Sequence, residues 1–379
     1  MNLDEQRRKL DAIDDQLIAL FNERMDVVEG VAQAKAQQSH AVADKTRERS
    51  ILARVTGATK PERKLSAQLL FNTLFDISKA YQSRALAGKS PLTERIHAAI
   101  KNTAQTFPTS ASVACQGVEG AYSQIASDKL FSLANIMYFD SFEAVFKAVE
   151  QGLCEYGVLP IENSTYGSVS AVYDLMKSNN FSIVRSVKVP IRHALLVKPG
   201  TRLADVKTII SHEQAIGQCA AFLLAHAGIE VHAVENTAQA ARLVAESMEE
   251  GVAAISSLEC AELYGLSVLE TDLQDSDANY TRFIVISREL EIYPGSQKVS
   301  FMMTVPHKPG SLYEVISRFA VQGVNLTKLE SRPLPGKNFE FMFYFDFDAE
   351  ILDENVVALL AELDSLFDGF TFLGAYHEV

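Results

Sequence analysis

Two cations on one predicted helix are the first residues whose types and spacing point to chemistry. Arg24 and Lys35 stand eleven residues apart in a proline-free segment that runs from Leu3 to Gln38. At 3.6 residues per turn this separation returns to within about 20° of the same helix face, roughly 16 Å along the axis. Both lie near the apolar stripe, where a cation is costly unless an anion meets it. The pair therefore indicates an anion site, or two side chains that extend to water.

Further polar residues follow and favour the site. Asp44, Arg47 and Glu48 come after the long helix, and Ser78 and Gln82 stand four residues apart on another predicted helix. Residues at that spacing share one helix face. Asp44 has a second interpretation, because an aspartate ahead of a helix often accepts hydrogen bonds from the first backbone amides.

Arg7 lies on a different side of the first helix from Arg24, because seventeen residues rotate a helix by about 260°. It can join the same site only if another protomer supplies it. A long helix with a continuous apolar stripe is also unstable without a partner. The stripe consists of Leu10, Ile13, Leu17, Leu20, Phe21, Val27, Val28 and Val31. We therefore predict an intertwined helical dimer.

Residues 1–88 resemble the all-helical class of chorismate mutase. The match is carried, in order, by Arg7, Arg24, Lys35, Asp44, Arg47, Glu48, Ser78 and Gln82. The Claisen rearrangement of chorismate to prephenate is pericyclic and needs neither nucleophile nor proton transfer. An enzyme accelerates it by holding the compact conformer of this dicarboxylate and by stabilising charge that develops in the transition state.

The resemblance also implies a role for each of these residues. Arg24, Arg47 and the Arg7 that another protomer supplies clamp the carboxylates. Lys35 and Gln82 donate hydrogen bonds to the breaking ether oxygen. The other three orient the substrate hydroxyl and Lys35, or support the site: Asp44, Glu48 and Ser78.

Composition sets outer limits on the function. A chain of 379 residues with a formal charge of −13 holds two or three domains and does not favour non-specific nucleic-acid binding. Its scattered cysteines, Cys115, Cys154, Cys219 and Cys260, predict reduced thiols in a cytoplasmic protein. The charged amino terminus is unlike a secretory signal, and no apolar run is long enough to span a membrane.

Residues 89–110 are predicted to be a linker with one short helix near Glu94–Lys101. From Ser112 onward strands alternate with helices in two series, which predicts two α/β lobes with ligands at the carboxyl ends of strands. The predicted strands are Ser112–Cys115, Ile136–Phe139, Tyr156–Leu159, His193–Val197, Thr208–Ser211, Val231–Ala233, Val252–Ile255 and Ile284–Ile286. The predicted helices are Tyr122–Leu130, Ser141–Glu150, Gln214–Ala225 and Thr237–Ser247.

Residues 111–288 resemble prephenate dehydratase, which implies a two-lobed fold like that of periplasmic binding proteins. The motifs are Gly117–Ser123, Pro160–Ser164, Ser211-His212, Gln218-Cys219 and Thr281-Arg282-Phe283. Each alone is weak, since a glycine turn or a single histidine is usually structural. The glycine turn departs from the family pattern, because Gly117-Val118-Glu119-Gly120 lacks its usual proline.

Prephenate dehydratase removes carbon dioxide and water from prephenate, and aromatisation drives the step. The resemblance implies a substrate site made of Glu162, Asn163, Ser164, Ser211, His212, Gln218, Thr281, Arg282 and Phe283. Thr281 is the expected donor to the departing hydroxyl, and Arg282 the expected anchor for a carboxylate. Glu162 and His212 are alternative acids, because a threonine hydroxyl is itself a weak acid.

Residues 297–379 are predicted to alternate as strand–helix–strand–strand–helix–strand, the ferredoxin-like order. The strands are Lys298–Val305, Val324–Glu330, Phe339–Phe347 and Phe370–Tyr376, and the helices Gly310–Val321 and Glu354–Leu366. The module resembles an ACT regulatory domain, although a folding or dimerisation unit could have the same order. The resemblance implies an L-phenylalanine site at Gly310, Ser311, Leu312, Glu330, Ser331, Arg332 and Pro333.

Together the three resemblances imply a bifunctional chorismate mutase/prephenate dehydratase that L-phenylalanine inhibits, with chorismate and prephenate as substrates. They imply a dimer or tetramer, with no metal, cofactor, nucleic acid or membrane. A dehydratase that accepts arogenate and a non-catalytic ligand sensor remain alternatives.

Overall fold

The computed structural model describes residues 2–38, 44–86, 90–307, 309–334, 340–367 and 369–379. The chain forms two compact units. The first unit contains residues 1–101 and 299–372, and the second contains residues 102–298 and 373–379. The boundary predicted between residues 88 and 89 falls outside the described residues.

Thirteen α-helices and fifteen strands are present in the described part of the chain. The helices are α1 Leu3–Gln38, α2 Lys45–Ala58, α3 Lys64–Leu86, α4 Pro91–Asn102, α5 Tyr122–Leu130, α6 Phe142–Glu150, α7 Ser170–Met176, α8 Glu213–Gln218, α9 Ala220–Ala225, α10 Thr237–Glu246, α11 Glu259–Leu263, α12 Ser311–Gln322 and α13 Glu354–Leu366. The strands are β1 Ser110–Gln116, β2 Leu133–Phe139, β3 Tyr156–Asn163, β4 Gly167–Ser168, β5 Ser182–Pro190, β6 Ala194–Val197, β7 Thr208–His212, β8 Glu230–Val234, β9 Val252–Ser256, β10 Ser267–Glu270, β11 Tyr280–Ser287, β12 Lys298–Val305, β13 Asn325–Pro333, β14 Phe341–Asp348 and β15 Thr371–Glu378.

Helix α3 is the centre of the first unit. Helices α1, α2, α12 and α13 all pack against it, so the amino-terminal and carboxy-terminal segments share one unit. Helix α2 begins at Asp44, whose Oδ1 accepts a hydrogen bond from the backbone N–H of Arg47 at 2.9 Å. Asp44 therefore caps a helix, as one of its two interpretations predicts.

The carboxy-terminal segment has the predicted strand–helix–strand–strand–helix–strand order. Within the first unit, β13 pairs antiparallel with β14, and β14 lies next to β12. Phenylalanine rings pack against one another here, with the centroids of Phe301 and Phe345 4.7 Å apart and that of Phe319 6.0 Å from Phe301 and 6.2 Å from Phe345. The boundary between the two units falls inside β15.

The second unit contains two sheets. In the larger one the neighbours run β15, β5, β11, β3, β1 and β2, and β4 pairs with β3. Strands β1, β2 and β3 are parallel, whereas β11 runs antiparallel to both β3 and β5. The smaller sheet has the order β10, β6, β9, β7 and β8. The prediction of two α/β series is confirmed, and each sheet has its own buried core.

Several predicted elements of the second unit have different bounds in the structure, and for two of them the cause is visible. The predicted helix Gln214–Ala225 is divided at Cys219 into α8 and α9. The carboxylate of Asp275 accepts hydrogen bonds from the N–H groups of Ala220 and Ala221, each at 3.1 Å, so a second helix start is capped there. Strand β11 begins at Tyr280, well before the predicted Ile284, because its first residues pair with β3 and β5.

Gly374 of β15 allows close contact with β5. Its φ is 152°, and a Cβ built there would lie 2.1 Å from the carbonyl oxygen of Ile183. We expect Gly374→Ala to destabilise the second unit by about 3 kcal/mol or more, because backbone atoms would have to move. Thermal unfolding should show a lower midpoint than wild type. Gly228→Ala is the matched control, since nothing lies within 4 Å of a Cβ at that position. Equal midpoints for the two variants would contradict this account.

Candidate active sites

A cavity of about 560 Å³ lies in the second unit, lined by residues that belong to or follow strands of both sheets. Asn163 ends β3 and His212 ends β7, while Thr281 lies near the start of β11. Gln218 and Phe283 also line the cavity, so five of the nine predicted dehydratase residues come together there. The other lining residues that carry polar side chains are Gln116, Tyr122, Ser123, Tyr166, Ser168, Ser170, His193, Gln214, Glu235, Asn236 and Thr237.

The hydroxyl of Thr281 is held by a chain of hydrogen bonds that orients it. Asn163 Oδ1 accepts hydrogen bonds from the backbone N–H groups of Thr165 and Tyr166, each at 3.0 Å, which fixes the direction of its amide. Asn163 Nδ2 therefore donates to Thr281 Oγ1 at 3.0 Å and to Asn279 Oδ1 at 2.9 Å. Because Thr281 Oγ1 accepts this bond, its own O–H remains available as a donor in the cavity.

Arg282 and Glu162 do not line the cavity, contrary to the expected substrate site. Successive side chains of a strand point to opposite faces of the sheet, so the side chain of Arg282 lies on the face opposite to that of Thr281 and Phe283. Its Nη1 lies 3.7 Å from Glu378 Oε2, and its Nε lies 4.0 Å from Glu162 Oε2. The prediction placed this triplet before a strand instead of within it, and the alternation was therefore missed.

Ser164 and Ser211 are also outside the lining, and both have structural partners. Ser164 Oγ donates to the carbonyl of Ala278 at 2.8 Å and accepts the N–H of Tyr280 at 2.9 Å. Ser211 is buried, and its Oγ donates to the carbonyl of Ile255 at 2.6 Å. These two serines tie neighbouring segments of the second unit together.

Two histidines line the cavity, and the sequence analysis identified only His212. His212 caps α8, since its Nδ1 accepts the N–H of Gln214 at 3.3 Å. His193 is buried, and its Nε2 lies 2.7 Å from Gln218 Oε1. Burial lowers the pKa of both imidazoles, so both are neutral at neutral pH. The available signal for His193 was a polar ring at the head of the wholly apolar segment Ala194–Val197.

The first turns of three helices meet the cavity. Tyr122 and Ser123 begin α5, Gln214 opens α8, and Thr237 begins α10. Helix amino termini carry partial positive charge and unpaired N–H groups that suit anions. No lysine or arginine of the described residues is among those that line this cavity. Attraction for an anion in this cavity therefore relies on backbone N–H groups and neutral side-chain donors, and Glu235 adds a carboxylate to the lining.

In the first unit, two predicted mutase residues, Arg24 of α1 and Ser78 of α3, are in direct contact. Arg24 Nη1 donates to Ser78 Oγ at 2.5 Å and to the carbonyl of Leu74 at 3.3 Å. Gln82 is buried one turn further along, and its Nε2 donates to the carbonyl of Ser78 at 3.2 Å. Burial lowers the pKa of the Arg24 guanidinium. Lys35 is half-buried on α1.

The remaining predicted mutase residues lie further from the contact between Arg24 and Ser78 or are exposed. Glu48 of α2 reaches α3, where its Oε1 lies 3.5 Å from Lys79 Nζ. Asp44 and Arg47 are exposed at the start of α2. Arg7 has a side chain that is 67% exposed, and its Nη1 lies 3.7 Å from Asp4 Oδ1. The apolar residues Leu10, Ile13, Leu17 and Leu20 are also exposed along α1.

A second cavity, of about 330 Å³, lies in the carboxy-terminal part of the first unit. It is lined by Val305, Pro306, His307, Pro309, Ser311, Leu312, Phe341 and Phe343. Gly310 has a φ of 87° and ends the turn that opens α12, so Ser311 and Leu312 are placed at this cavity. Glu330, Ser331, Arg332 and Pro333 do not line it. They lie on β13, where Ser331 pairs with Phe343 and Pro333 with Phe341.

Family models match both regions of the chain. The chorismate mutase type II model matches residues 6–83, and the prephenate dehydratase model matches residues 113–291. This chain therefore contains two enzyme domains, a chorismate mutase and a prephenate dehydratase. The bifunctional chorismate mutase/prephenate dehydratase of Escherichia coli is 31% identical over 377 residues, covering 98% of this chain and 95% of the relative. The chain belongs to the family of bifunctional chorismate mutase/prephenate dehydratases.

Two further comparisons each cover more than two thirds of this chain. Arogenate dehydratase 2 of Petunia hybrida is 35% identical over 332 residues, covering 83% of this chain and 84% of the relative. A crystal structure of prephenate dehydratase from Arthrobacter aurescens in complex with L-Phe is 30% identical, with a TM-score of 0.65. The match covers 70% of this chain and 89% of the solved chain.

The described ranges contain neither a candidate metal site nor a helix that could span a membrane. No group of three or more histidine, cysteine, aspartate or glutamate side chains there is arranged to hold a metal ion. None of the helices described is both long enough and apolar enough to cross a bilayer.

Proposed function

We propose that this chain converts chorismate to prephenate in its helical domain and prephenate to phenylpyruvate, carbon dioxide and water in its second unit. The observation that carries the second step is the Thr281 hydroxyl, which accepts from Asn163 and keeps its proton for the cavity. That proton is available to the oxygen that departs from the prephenate ring.

The dehydratase step balances with one proton. The carbon–carbon bond to the ring carboxylate breaks and releases carbon dioxide, its electron pair enters the ring, and the carbon–oxygen bond to the hydroxyl breaks. The departing oxygen takes up one proton, which Thr281 Oγ1 passes on and regains from solvent, so it leaves as water. Thr281 donates a hydrogen bond to that oxygen as negative charge develops on it. A neutral His212, whose pKa burial lowers, is a poor formal acid, and Glu162 lies outside the cavity lining.

The second carboxylate of prephenate is assigned to neutral and backbone donors. Gln218 accepts from His193 through Oε1, so its amide nitrogen can serve as a donor to the substrate. The first turns of α5 and α10 supply further N–H groups with favourable partial charge. Arg282 is given a supporting role, in which its contacts with Glu162 of β3 and Glu378 of β15 tie β11 to both strands.

In the mutase step, Arg24 and Arg47 bind the carboxylates of chorismate, and Lys35 and Gln82 donate to the ether oxygen. One amide hydrogen of Gln82 is used by the Ser78 carbonyl, and the second is available to the substrate. Ser78 holds the Arg24 guanidinium in place. Asp44 and Glu48 orient the substrate hydroxyl and Lys35.

A homodimer completes this mutase site. The exposed apolar residues of α1, among them Ile13 at 51% and Leu17 at 54%, favour a second copy as the covering surface. Arg7, on a different azimuth of α1 from Arg24, would then enter the partner's site. The exposed apolar residues of α1 and the position of Arg7 thus support the intertwined arrangement.

The carboxy-terminal module is proposed to be an ACT domain that binds L-phenylalanine. Its 330 Å³ cavity is lined on one side by Ser311, at the amino terminus of α12, and also by the aromatic rings of Phe341 and Phe343. Such a cavity suits an amino acid that carries both a carboxylate and a benzyl group. The residues Glu330, Ser331, Arg332 and Pro333 of β13 would contact an effector bound by a neighbouring protomer. Inhibition follows if phenylalanine binds a less active conformation more tightly.

Arogenate is a second candidate substrate of the dehydratase domain, because a plant arogenate dehydratase is 35% identical to this chain. Arogenate differs from prephenate in carrying an ammonium group in place of a keto oxygen. Prephenate is favoured because the mutase domain of the same chain produces it. A non-catalytic sensor is disfavoured because the polar residues of both sites are retained.

The deciding experiment supplies purified protein with chorismate alone. We expect chorismate to disappear and phenylpyruvate to form, and millimolar L-phenylalanine to suppress the second product. Liquid chromatography of chorismate, prephenate and phenylpyruvate measures both steps, and a parallel reaction with arogenate tests the second candidate. Accumulation of prephenate without phenylpyruvate would contradict the dehydratase assignment, whereas unchanged rates with phenylalanine would contradict the ACT assignment.

A further inference from the structure

A buried cluster of charges connects α2 and α3 to the carboxy-terminal helices within the first unit. Lys79 of α3 is at its centre, with a side chain only 10% exposed. Its Nζ lies 3.1 Å from Asp76 Oδ1, 3.5 Å from Glu48 Oε1 and 3.8 Å from Glu314 Oε1. Glu314 belongs to α12 of the carboxy-terminal module, so one lysine meets carboxylates from three helices.

Arg318 of α12 extends the cluster toward α13 and is 1% exposed. Its Nε donates to Glu362 Oε1 at 3.0 Å, and its Nη1 donates to the backbone carbonyl of Glu314. Its Nη2 lies 3.5 Å from Glu314 Oε1 and 4.0 Å from Asp76 Oδ1. Glu314 and Asp76 are therefore each shared between Arg318 and Lys79.

The surrounding carboxylates fix the position of the Lys79 ammonium group. A buried ammonium group is stable only where carboxylates compensate for the lost water, and four carboxylates surround two cations here. If Glu314 moved, the carboxylates that attract Lys79 Nζ would change and Lys79 would shift. Glu48, which lies 3.5 Å from that ammonium group, would then shift as well. Lys79 also follows Ser78 directly and precedes Gln82 by three residues, so it stands beside the proposed mutase residues of α3.

We propose that Lys79 is a positioning residue of the mutase site, which holds Glu48, and that Glu314 of the carboxy-terminal module holds Lys79 in turn. The inference rests on the proposed role of Glu48 in the mutase reaction. It means that a helix from the far end of the chain helps to shape the site for chorismate, without touching the substrate.

Lys79→Met tests the positioning role, because it removes the charge and keeps most of the volume. We expect the kcat for chorismate to fall about tenfold with little change in KM, and Lys79→Arg to restore part of the loss. Prephenate consumption by the same samples reports whether the second unit is intact. A loss of both activities together would indicate general damage and would overturn the proposal.

A double-mutant cycle separates positioning from simple stabilisation. If Lys79 acts through Glu48, Lys79→Met should have little additional effect on mutase kcat in a Glu48→Gln background. Additive effects would overturn the proposal. If Glu48→Gln alone leaves turnover unchanged, the proposed function of Glu48 fails instead, and that result is read from the single variant.

Glu314→Gln tests the contribution of the carboxy-terminal module and avoids the folding risk of a change at Lys79, because its side chain is 45% exposed. We expect mutase kcat to fall about threefold and dehydratase kcat to stay at the wild-type value. Glu354→Gln is the matched control, since Glu354 lies on α13 with an 81% exposed side chain. Equal mutase rates in the two variants would overturn the link to α12.

Discussion

Thr281→Ala should reduce the rate of phenylpyruvate formation from prephenate by about 10²–10³-fold, because it removes the donor aimed at the departing hydroxyl. The effect should appear mainly in kcat, since Asn163, Gln218 and the helix amino termini still bind the substrate. Supplied with chorismate, the variant should accumulate prephenate at the wild-type rate. Stopped assays that quantify both acids measure the two steps in one sample.

Thr281→Ser is the matched control for this change. It keeps a hydroxyl that can accept from Asn163 Nδ2, as Thr281 does at 3.0 Å, and loses only a methyl group. We expect it to retain a substantial part of the dehydratase rate. A serine variant as inactive as the alanine variant, or a parallel fall in mutase activity, would contradict the role assigned to the Thr281 hydroxyl.

Lys35→Ala should reduce mutase turnover by about 10²–10³-fold, because the ether oxygen loses a cationic donor as charge develops on it. Substrate binding should weaken much less, since Arg24 and Arg47 still meet the carboxylates. The loss of chorismate absorbance gives kcat and KM, and dehydratase activity with added prephenate is the internal control. Near-normal turnover in a folded variant would refute the assignment.

Mixing subunits extends this test to Arg7. In a dimer whose sites each take Arg7 from one chain and Lys35 from the other, Arg7→Ala and Lys35→Ala affect different chains of one site. Co-expressed variants should recover about a quarter of the wild-type mutase rate, because half of the dimers then contain one intact site of two. No recovery in a verified heterodimer would show that both residues serve the same chain.

Local signals in the sequence predicted many elements of the fold. Helices α5 and α13 and strand β12 have the bounds that periodicity indicated, because each is a simple amphipathic or apolar segment. The break between α8 and α9 was missed because its cause, Asp275, lies far along the chain from Ala220. Partners at that separation leave no local signal.

The candidate site was predictable in residue type and less so in orientation. Asn163 and Thr281 were identified from motifs, and their hydrogen bond joins positions 118 residues apart. Arg282 and Glu162 were included because they adjoin these residues, yet a strand turns neighbouring side chains to opposite faces. His193 was missed because its contact with Gln218, 25 residues along the chain, forms only in the folded unit.

The first unit is built from the two ends of the chain, residues 1–101 and 299–372, and this has a consequence for synthesis on the ribosome. Helix α3 emerges early, but α12 and α13, which pack against it, emerge only after residues 102–298 of the second unit have been made. The ion pairs of Asp76 with Arg318 and of Lys79 with Glu314 therefore cannot form until α12 has been synthesised. Because domains fold as units during synthesis, the dehydratase unit gains most of its contacts before the mutase unit is complete.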